Sequence, residues 1–197
     1  IQINNSDRFL IKGGELKNWS IRLIGLTDEK INKKQRFNQD LLTGCLTLLD
    51  LSIANISIEI DDALCEDGVN LIRVNGGLNS VVVKNALSDA IDADFSNLNF
   101  KSIVIKDAGN DCIDLSSGDY QIDYADLSDC KDKAVSAGEQ SKLSINSVKI
   151  SNSNIGVASK DSSVVEINST NINLTATCFS AYNKKQEFWG GKIIVKK

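Results

Sequence analysis

The chain has 197 residues, of which 42% are hydrophobic and 24% are charged, and its formal net charge at pH 7 is -4. This composition is typical of a soluble globular domain, and the acidic balance argues against wholesale nucleic-acid binding. No apolar run is long enough to cross a bilayer, so we expect no membrane insertion. The sequence has no His. Catalysis would therefore depend on carboxylates, Lys, Arg, Tyr or Cys, and a bound metal would be a hard, oxygen-liganded ion such as calcium.

The first 40 residues show no repeat, and we predict that residues 1–40 form an N-terminal cap segment. A cap is expected because an open coil end exposes the edge of a sheet. The chain begins at Ile1 and contains no Met, so we interpret it as a processed chain or a piece of a longer one, which could have carried a secretory signal. The apolar residues that could plug the coil end are Phe9, Leu10, Trp19, Ile21, Leu23 and Ile24.

From residue 41 to residue 197, one pattern recurs about every 22 residues. The segments read DGVNL, DAIDA, DCIDL, KAVSA, IGVAS and TCFSA, with a small second residue and an apolar third residue in each. Alternation of apolar and polar positions is typical of a strand with one buried face. The segments begin at Asp67, Asp89, Asp111, Lys133, Ile155 and Thr177.

A repeat this short cannot bury its own apolar face, but stacked repeats can. We therefore predict an all-β fold, a right-handed parallel β-helix of about six to seven coils over residues 41–197. The absence of Pro agrees with this, because each strand must donate hydrogen bonds to its neighbours. The third positions of the repeats should form one buried ladder: Val69, Ile91, Ile113, Val135, Val157 and Phe179.

The five cysteines have no CxxC spacing, which argues against a zinc ribbon. Their odd number leaves at least one free thiol in a monomer. Cys112 and Cys178 share one column but lie three coils apart, too far for a disulfide between them. We interpret both as small, reduced, buried hydrophobic residues.

Stacking also converts outward columns into surface rows of crowded carboxylates. Such crowding costs stability unless a proton, a cation or a ligand compensates, so the rows are a candidate site. The alternative is that Asp begins these turns because its side chain accepts backbone hydrogen bonds there. We predict Asp89, Asp111, Lys133 and Lys160 as catalytic residues. The predicted substrate-binding residues are Asp92, Asp114, Glu139, Asp161 and Tyr182.

The same segments resemble the motifs of pectin-lyase-like β-helix proteins, above all the polygalacturonase-type glycoside hydrolases. That family carries TDGID-like, GDDC(I/V) and GHG(I/L)S segments about one coil apart, followed by a short basic motif. This chain has SDAID from Ser88, GNDCI from Gly109, KAVS from Lys133 and SKD from Ser159, so the resemblance covers roughly residues 85–162. It is also similar to bacterial right-handed β-helix repeat proteins with DAID, GNDCID and DKA(V/I)SAGE segments.

The resemblance implies carboxylate roles for Asp89 and Asp111, and binding of an acidic sugar by Lys160. Two residues depart from the family pattern: Asn110 replaces a catalytic aspartate, and Lys133 replaces a histidine. The loss at Asn110 argues against ordinary inverting hydrolysis, which needs an acid and a separate base. Lyase or epimerase chemistry tolerates this change better.

Three functions remain open from the sequence. The chain could be an enzyme acting on a polysaccharide, a non-catalytic glycan-binding or adhesive module, or a structural scaffold. We expect a glycan partner, no dedicated cofactor except calcium at the Asp cluster, and an extracellular or cell-surface location. Flanking domains or an oligomer partner could cover the C-terminal edge. Tyr182, Phe188 and Trp189 could stack on sugar rings or cover the last coil.

Overall fold

The computed structural model describes residues 2–3, 7–25, 36–62 and 64–196. In these residues the protein is an all-β parallel solenoid, a β-helix of about six turns, as the repeat predicts. None of its described segments is a helix that could span a membrane. The strands are β1 Gln2–Ile3, β2 Phe9–Lys12, β3 Glu15–Lys17, β4 Ser20–Gly25, β5 Gly44–Leu49, β6 Ser52–Asp61, β7 Asp67–Ile72, β8 Asn75–Ala86, β9 Asp89–Asp94, β10 Asn97–Phe100, β11 Ile103–Ala108, β12 Ile113–Ser116, β13 Asp119–Cys130, β14 Lys133–Gly138, β15 Lys142–Lys160, β16 Val164–Tyr182 and β17 Lys192–Val195.

The predicted apolar ladder is confirmed as one continuous column of neighbours. Val69 pairs with Ile91, and the same register continues one coil at a time as far as Phe179. The first five members are fully buried in a single apolar core. Phe179 is 38% exposed, so its predicted burial is wrong. Its strand is the last of its kind among the described residues, and no further coil packs over it.

Residues 9–25, within the predicted cap segment, form strands that extend the parallel sheet. Strand β2 pairs with β5, and β3 and β4 both pair with β6. Ile21 and Leu23 are buried in the common core, whereas Phe9 and Trp19 are exposed. These residues therefore form a first coil. That they cap the N-terminal end of the solenoid stays a prediction.

The cysteines are arranged differently from our interpretation. Cys45 is bonded to Cys65 and Cys112 to Cys130, whereas Cys178 is free and exposed. Cys112 is buried in the core as predicted, but its predicted reduced state is wrong, and so is the predicted burial of Cys178. Cys112 lies just before β12 and Cys130 ends β13, so the bond joins the two ends of one coil, across 18 residues of sequence.

Removal of the Cys112–Cys130 bond should destabilise the protein measurably. The bond closes a loop of 18 residues, and such a loop restricts the unfolded chain enough to stabilise the fold by about 3 kcal/mol. We expect the Cys112→Ser, Cys130→Ser double variant to lose about that much free energy of unfolding in a urea titration. The matched control, Cys178→Ser, should unfold at the same urea concentration as the wild type. Equal midpoints for all three proteins would contradict the disulfide.

Candidate functional site

Three rows of mostly polar side chains follow the first strand of each coil, several of them buried, and together we call them the acidic site. Within each row the side chains lie one above the other, because the strands of successive coils are in register at a spacing of about 4.8 Å. The capping row contains Asp67, Asp89, Asp111 and Lys133. The central row contains Thr47, Asn70, Asp92, Asp114 and Ser136. The rim row contains Asp94, Ser116, Gly138, Lys160 and Tyr182.

In the capping row, the carboxylates of Asp89 and Asp111 each accept a backbone hydrogen bond from the next coil. The backbone N–H of Asp111 donates to Oδ1 of Asp89 at 2.8 Å, and the Asn110 side-chain amide donates to the same oxygen at 2.7 Å. The backbone N–H of Lys133 donates to Oδ1 of Asp111 at 2.9 Å. Asp89 and Asp111 therefore fix the start of the strand above them, which supports the turn-capping alternative for these two residues.

Lys133 forms a buried ion pair with Asp111. Its Nζ lies 3.1 and 3.2 Å from the two Asp111 carboxylate oxygens and also contacts Asp132. The Asp111 residue is 2% exposed and Lys133 is 9% exposed. Burial raises the pKa of Asp111 to about 6 against the opposing charge of Lys133. Burial lowers the pKa of Lys133, but its contacts with Asp132 and Asp111 outweigh that effect and raise it overall.

Asp92 is the most strongly perturbed carboxyl group of the central row. Burial, followed by the negative charges of Asp67 and Asp94, raises its pKa to about 9. The Asn70 side-chain amide donates a hydrogen bond to Asp92 Oδ2 at 2.9 Å. This rise favours the protonated, neutral form of Asp92 at pH 7. Asp114 lies directly beside it on the next strand, in register.

Lys160 reaches back two coils toward the central row. Its Nζ lies 3.5 Å from Oδ1 of Asp114, at the limit of a hydrogen bond. The side chain passes over Gly138, where an added Cβ would lie 3.0 Å from Lys160 Cε. Glycine at this position therefore leaves room for the lysine stem.

Several buried polar atoms of the rows have no hydrogen-bond partner within the described part of the chain. They are Thr47 Oγ1, Asn70 Oδ1 and Ser136 Oγ of the central row, and Asp67 Oδ2 of the capping row. Leaving a buried polar group unpaired is costly, and such groups are uncommon outside functional sites. Their alignment along adjacent strands marks the floor of the acidic site as a place where a ligand could bind.

The rim row is bordered by a loop that follows β16. Oδ1 of the buried Asp161 accepts the backbone N–H of Lys184 at 2.6 Å and that of Lys185 at 2.8 Å. This anchors the loop so that Lys185 Nζ contacts the carboxylate of Glu139. Burial and the charge of Glu139 raise the pKa of Asp94 to about 6, and the charge of Lys185 opposes this rise.

Aromatic residues lie at the C-terminal end of the acidic site. Tyr182 is half-buried and is the register neighbour of Lys160. Trp189 is 85% exposed, so it does not cover the last coil. Its backbone is held on both sides: its N–H donates to Ser162 Oγ at 2.9 Å, and its carbonyl accepts from the Ser162 N–H at 2.7 Å. The indole ring is thus presented to solvent from a fixed backbone.

The structure brings the predicted site residues together in unequal groups. Asp89, Asp111 and Lys133 are joined by hydrogen bonds in the capping row, and Asp114 meets Lys160. Glu139 and Asp161 serve mainly to hold the loop after β16.

Sequence reasoning did not single out Asp67, Asn70 or Lys185 as site residues. The first two occupy the same columns as Asp89 and Asp92, so the repeat itself could have identified them. Lys185 lies outside the repeat, and its approach to Glu139 depends on the anchored loop.

No group of three or more His, Cys, Asp and Glu side chains in the described residues is arranged to hold a metal ion. Comparison with known proteins returns no matching family model, no matching curated protein and no matching solved structure.

Proposed function

We propose that this protein is a carbohydrate-active β-helix domain that acts on an extended polysaccharide at the acidic site. The observation that carries the proposal is the pair of adjacent carboxyl groups of Asp92 and Asp114. They lie on the outer face of neighbouring strands in register, and among the described residues neither accepts a backbone hydrogen bond as Asp89 and Asp111 do. The pair therefore has no evident structural task, although burying it is costly.

The pair has the parts needed for acid–base chemistry on a glycosidic bond. Asp92 is protonated at neutral pH because burial raises its pKa to about 9, so it can donate a proton to a leaving oxygen. Asp114, with Lys160 beside it, is the partner carboxylate. The backbones of the two residues are one strand spacing apart, about 4.8 Å, which is compatible with the carboxyl separation of about 5 Å in retaining glycosidases.

In this proposal the predicted catalytic residues of the capping row have a positioning role. Asp89 and Asp111 fix the strands that carry the working pair, and Lys133 neutralises Asp111. The resemblance to polygalacturonase-type enzymes agrees with an acidic sugar as substrate, since Lys160 and Lys185 both extend over the site. Asn110, which replaces a family aspartate, donates a hydrogen bond to Asp89.

The disulfides favour an oxidising compartment. Two bonds close single coils, at Cys45–Cys65 and Cys112–Cys130, and such bonds are rare in reducing cytosol. We therefore propose an extracellular or cell-surface location, where polysaccharides are accessible.

A non-catalytic glycan-binding module is the second candidate. The observation in its favour is Trp189, whose exposed ring is held beside the rim row by Ser162. Aromatic rings presented in this way stack on the apolar faces of sugars, whether or not a reaction follows. This candidate uses the same acidic site without proton transfer.

The test is a screen of the purified protein against uronic-acid and neutral polysaccharides, with and without calcium, for released reducing ends or unsaturated products. We expect Asp92→Asn and Asp114→Asn each to lower turnover by about 100-fold or more, as loss of a general acid or base does. Asp123→Asn, at an exposed position of β13, is the matched control and should keep wild-type turnover.

The same screen separates the alternatives. Binding by the wild type without any product would favour the glycan-binding module. Neither binding nor product in any condition would contradict both and leave a structural scaffold. Activity that requires calcium and disappears when a chelator is added would indicate that the Asp cluster binds calcium.

A further inference from the structure

We infer that a second groove, on the outer face of the second strand of each coil, binds a linear, uncharged stretch of glycan alongside the acidic site. This inference rests on the proposed function and extends it to the substrate. The groove has a volume of about 790 Å³ and crosses β8, β10, β13, β15 and β16. That volume lies within the range of ligand sites, about 300–1,000 Å³.

The groove is lined by two parallel rows of hydrogen-bonding side chains. In the first row, Asp119 is the register neighbour of Asn97 and of Lys142. In the second row, Gln121 is the register neighbour of Asn99 and of Ser144. Those six side chains are exposed, and they repeat at the strand spacing of about 4.8 Å along the solenoid axis. A pyranose unit in an extended glycan advances by a similar distance, so successive sugars would meet equivalent groups.

Two glycines lie at the N-terminal end of the groove, Gly76 in its lining and Gly77 in that of a smaller adjoining cavity. Gly76 has a positive φ of 130°, and an added Cβ would lie 1.9 Å from the carbonyl oxygen of Ile53, so no side chain fits there. At Gly77 the nearest atom to an added Cβ is 3.9 Å away. A smaller cavity of about 140 Å³, lined by Gly77 and Asn55, shares Asn99 with the groove and extends it.

The lining favours hydroxyl-rich, uncharged sugars over acidic ones. Asp119 and Lys142 are adjacent and of opposite charge, so their fields largely cancel. The second row offers amides and a hydroxyl, which donate to and accept from sugar hydroxyls equally well. It ends at Glu166, whose carboxylate is paired with Lys196 Nζ at 3.4 Å. The groove begins three residues beyond the rim row, at Asn97 after Asp94, so one chain could occupy both.

The variants Gln121→Arg and Gly77→Arg test this assignment, because Gln121→Arg adds bulk and charge inside the groove and Gly77→Arg adds them in the adjoining cavity beside Asn99. Gly77 can accept a side chain without a clash, and Gln121 is exposed, so both proteins should fold. Lys106→Ala, on the exposed outer face of β11, is the control. The probes are xylan-, mannan- and glucan-derived oligosaccharides of increasing length, with binding measured by calorimetry and turnover by product release.

We expect affinity for the preferred probe to rise with chain length in the wild type, and to fall about tenfold or more in both groove variants but not in Lys106→Ala. Turnover of the shortest uronic-acid oligosaccharide cleaved by the wild type should be unchanged by the groove variants, because it occupies the acidic site alone. Equal binding by the wild type and both groove variants, or no binding of neutral oligosaccharides at any length, would overturn the groove assignment. Either result would leave the acidic site to be judged separately by Asp92→Asn and Asp114→Asn.

Discussion

Replacement of Asp111 with Ala should lower the free energy of unfolding by about 3 kcal/mol, a large fraction of the stability of a typical domain. The Asp111 carboxylate accepts one hydrogen bond from the Lys133 backbone and two contacts from Lys133 Nζ, all in a buried setting. Alanine removes these and leaves a buried ammonium group whose remaining partner, Asp132, is partly exposed. Breaking a buried pair on one side costs more than the pair contributes when intact, because the other charge stays desolvated.

The pKa shifts of the two partners point to opposite effects on stability. Burial disfavours the Asp111 carboxylate, whereas that carboxylate and Asp132 favour the Lys133 ammonium. We expect the loss of the hydrogen bonds to dominate, because Asp111 also holds the start of β14. Asp111→Asn should cost less than Asp111→Ala, since its amide oxygen can still accept the Lys133 N–H.

Chemical denaturation at pH 7 measures these differences. The control is Asp107→Asn, which removes an exposed carboxylate 3.7 Å from Lys131 and which the φ of 62° at this residue tolerates; such surface pairs contribute about 0–1 kcal/mol. An Asp111→Ala protein as stable as the wild type would mean that the cap and the ion pair are energetically neutral. The capping row that contains Asp111 would then have a role in function and not in folding.

The fold was predictable because the same physical requirement recurs in every coil. Val69, Ile91 and Ile113 occupy the same position in successive strands and must all be apolar. The repeat length of the solenoid can therefore be read from the spacing of apolar residues in the sequence. The first coil was not predictable in this way. Phe9 pairs with Leu46 across a long insertion, so the strand lies outside the regular spacing and its pattern is lost.

The acidic site was predictable as rows but not as contacts. The position of a residue within the repeat predicts which residues stack in successive coils, and it correctly places Asp92 beside Asp114. It does not tell how far a flexible side chain reaches: Lys160 meets Asp114 two coils away because Gly138 leaves the path open. Likewise, the bond between Cys112 and Cys130 joins opposite ends of one coil, and columns compare only residues in different coils.

The stability of the protein should fall as the pH rises from about 5 to about 9, the reverse of ordinary acid denaturation. The pKa of Asp92 is raised to about 9 and that of Asp67 to about 7, in both cases mainly by burial. An unfolded Asp has a pKa near 3.8. Between these values the folded state holds protons that the unfolded state has released, so each increase in pH favours unfolding. The stabilisation from these groups is complete below about pH 4 and is lost as the pH passes the folded pKa.

Each such group contributes a slope of up to about 1.4 kcal/mol per pH unit within its window. We therefore expect the free energy of unfolding, measured by urea titration, to drop by several kcal/mol between pH 5 and pH 9. Above pH 7 the slope should come mainly from Asp92, because the folded pKa of Asp67 is already passed. Asp92→Asn cannot release this proton, so its stability should change much less between pH 7 and pH 9 and should exceed that of the wild type at pH 9. A wild-type stability that is constant or rising over this range would show that the buried carboxyl groups are charged when folded, and that a cation or a ligand compensates them.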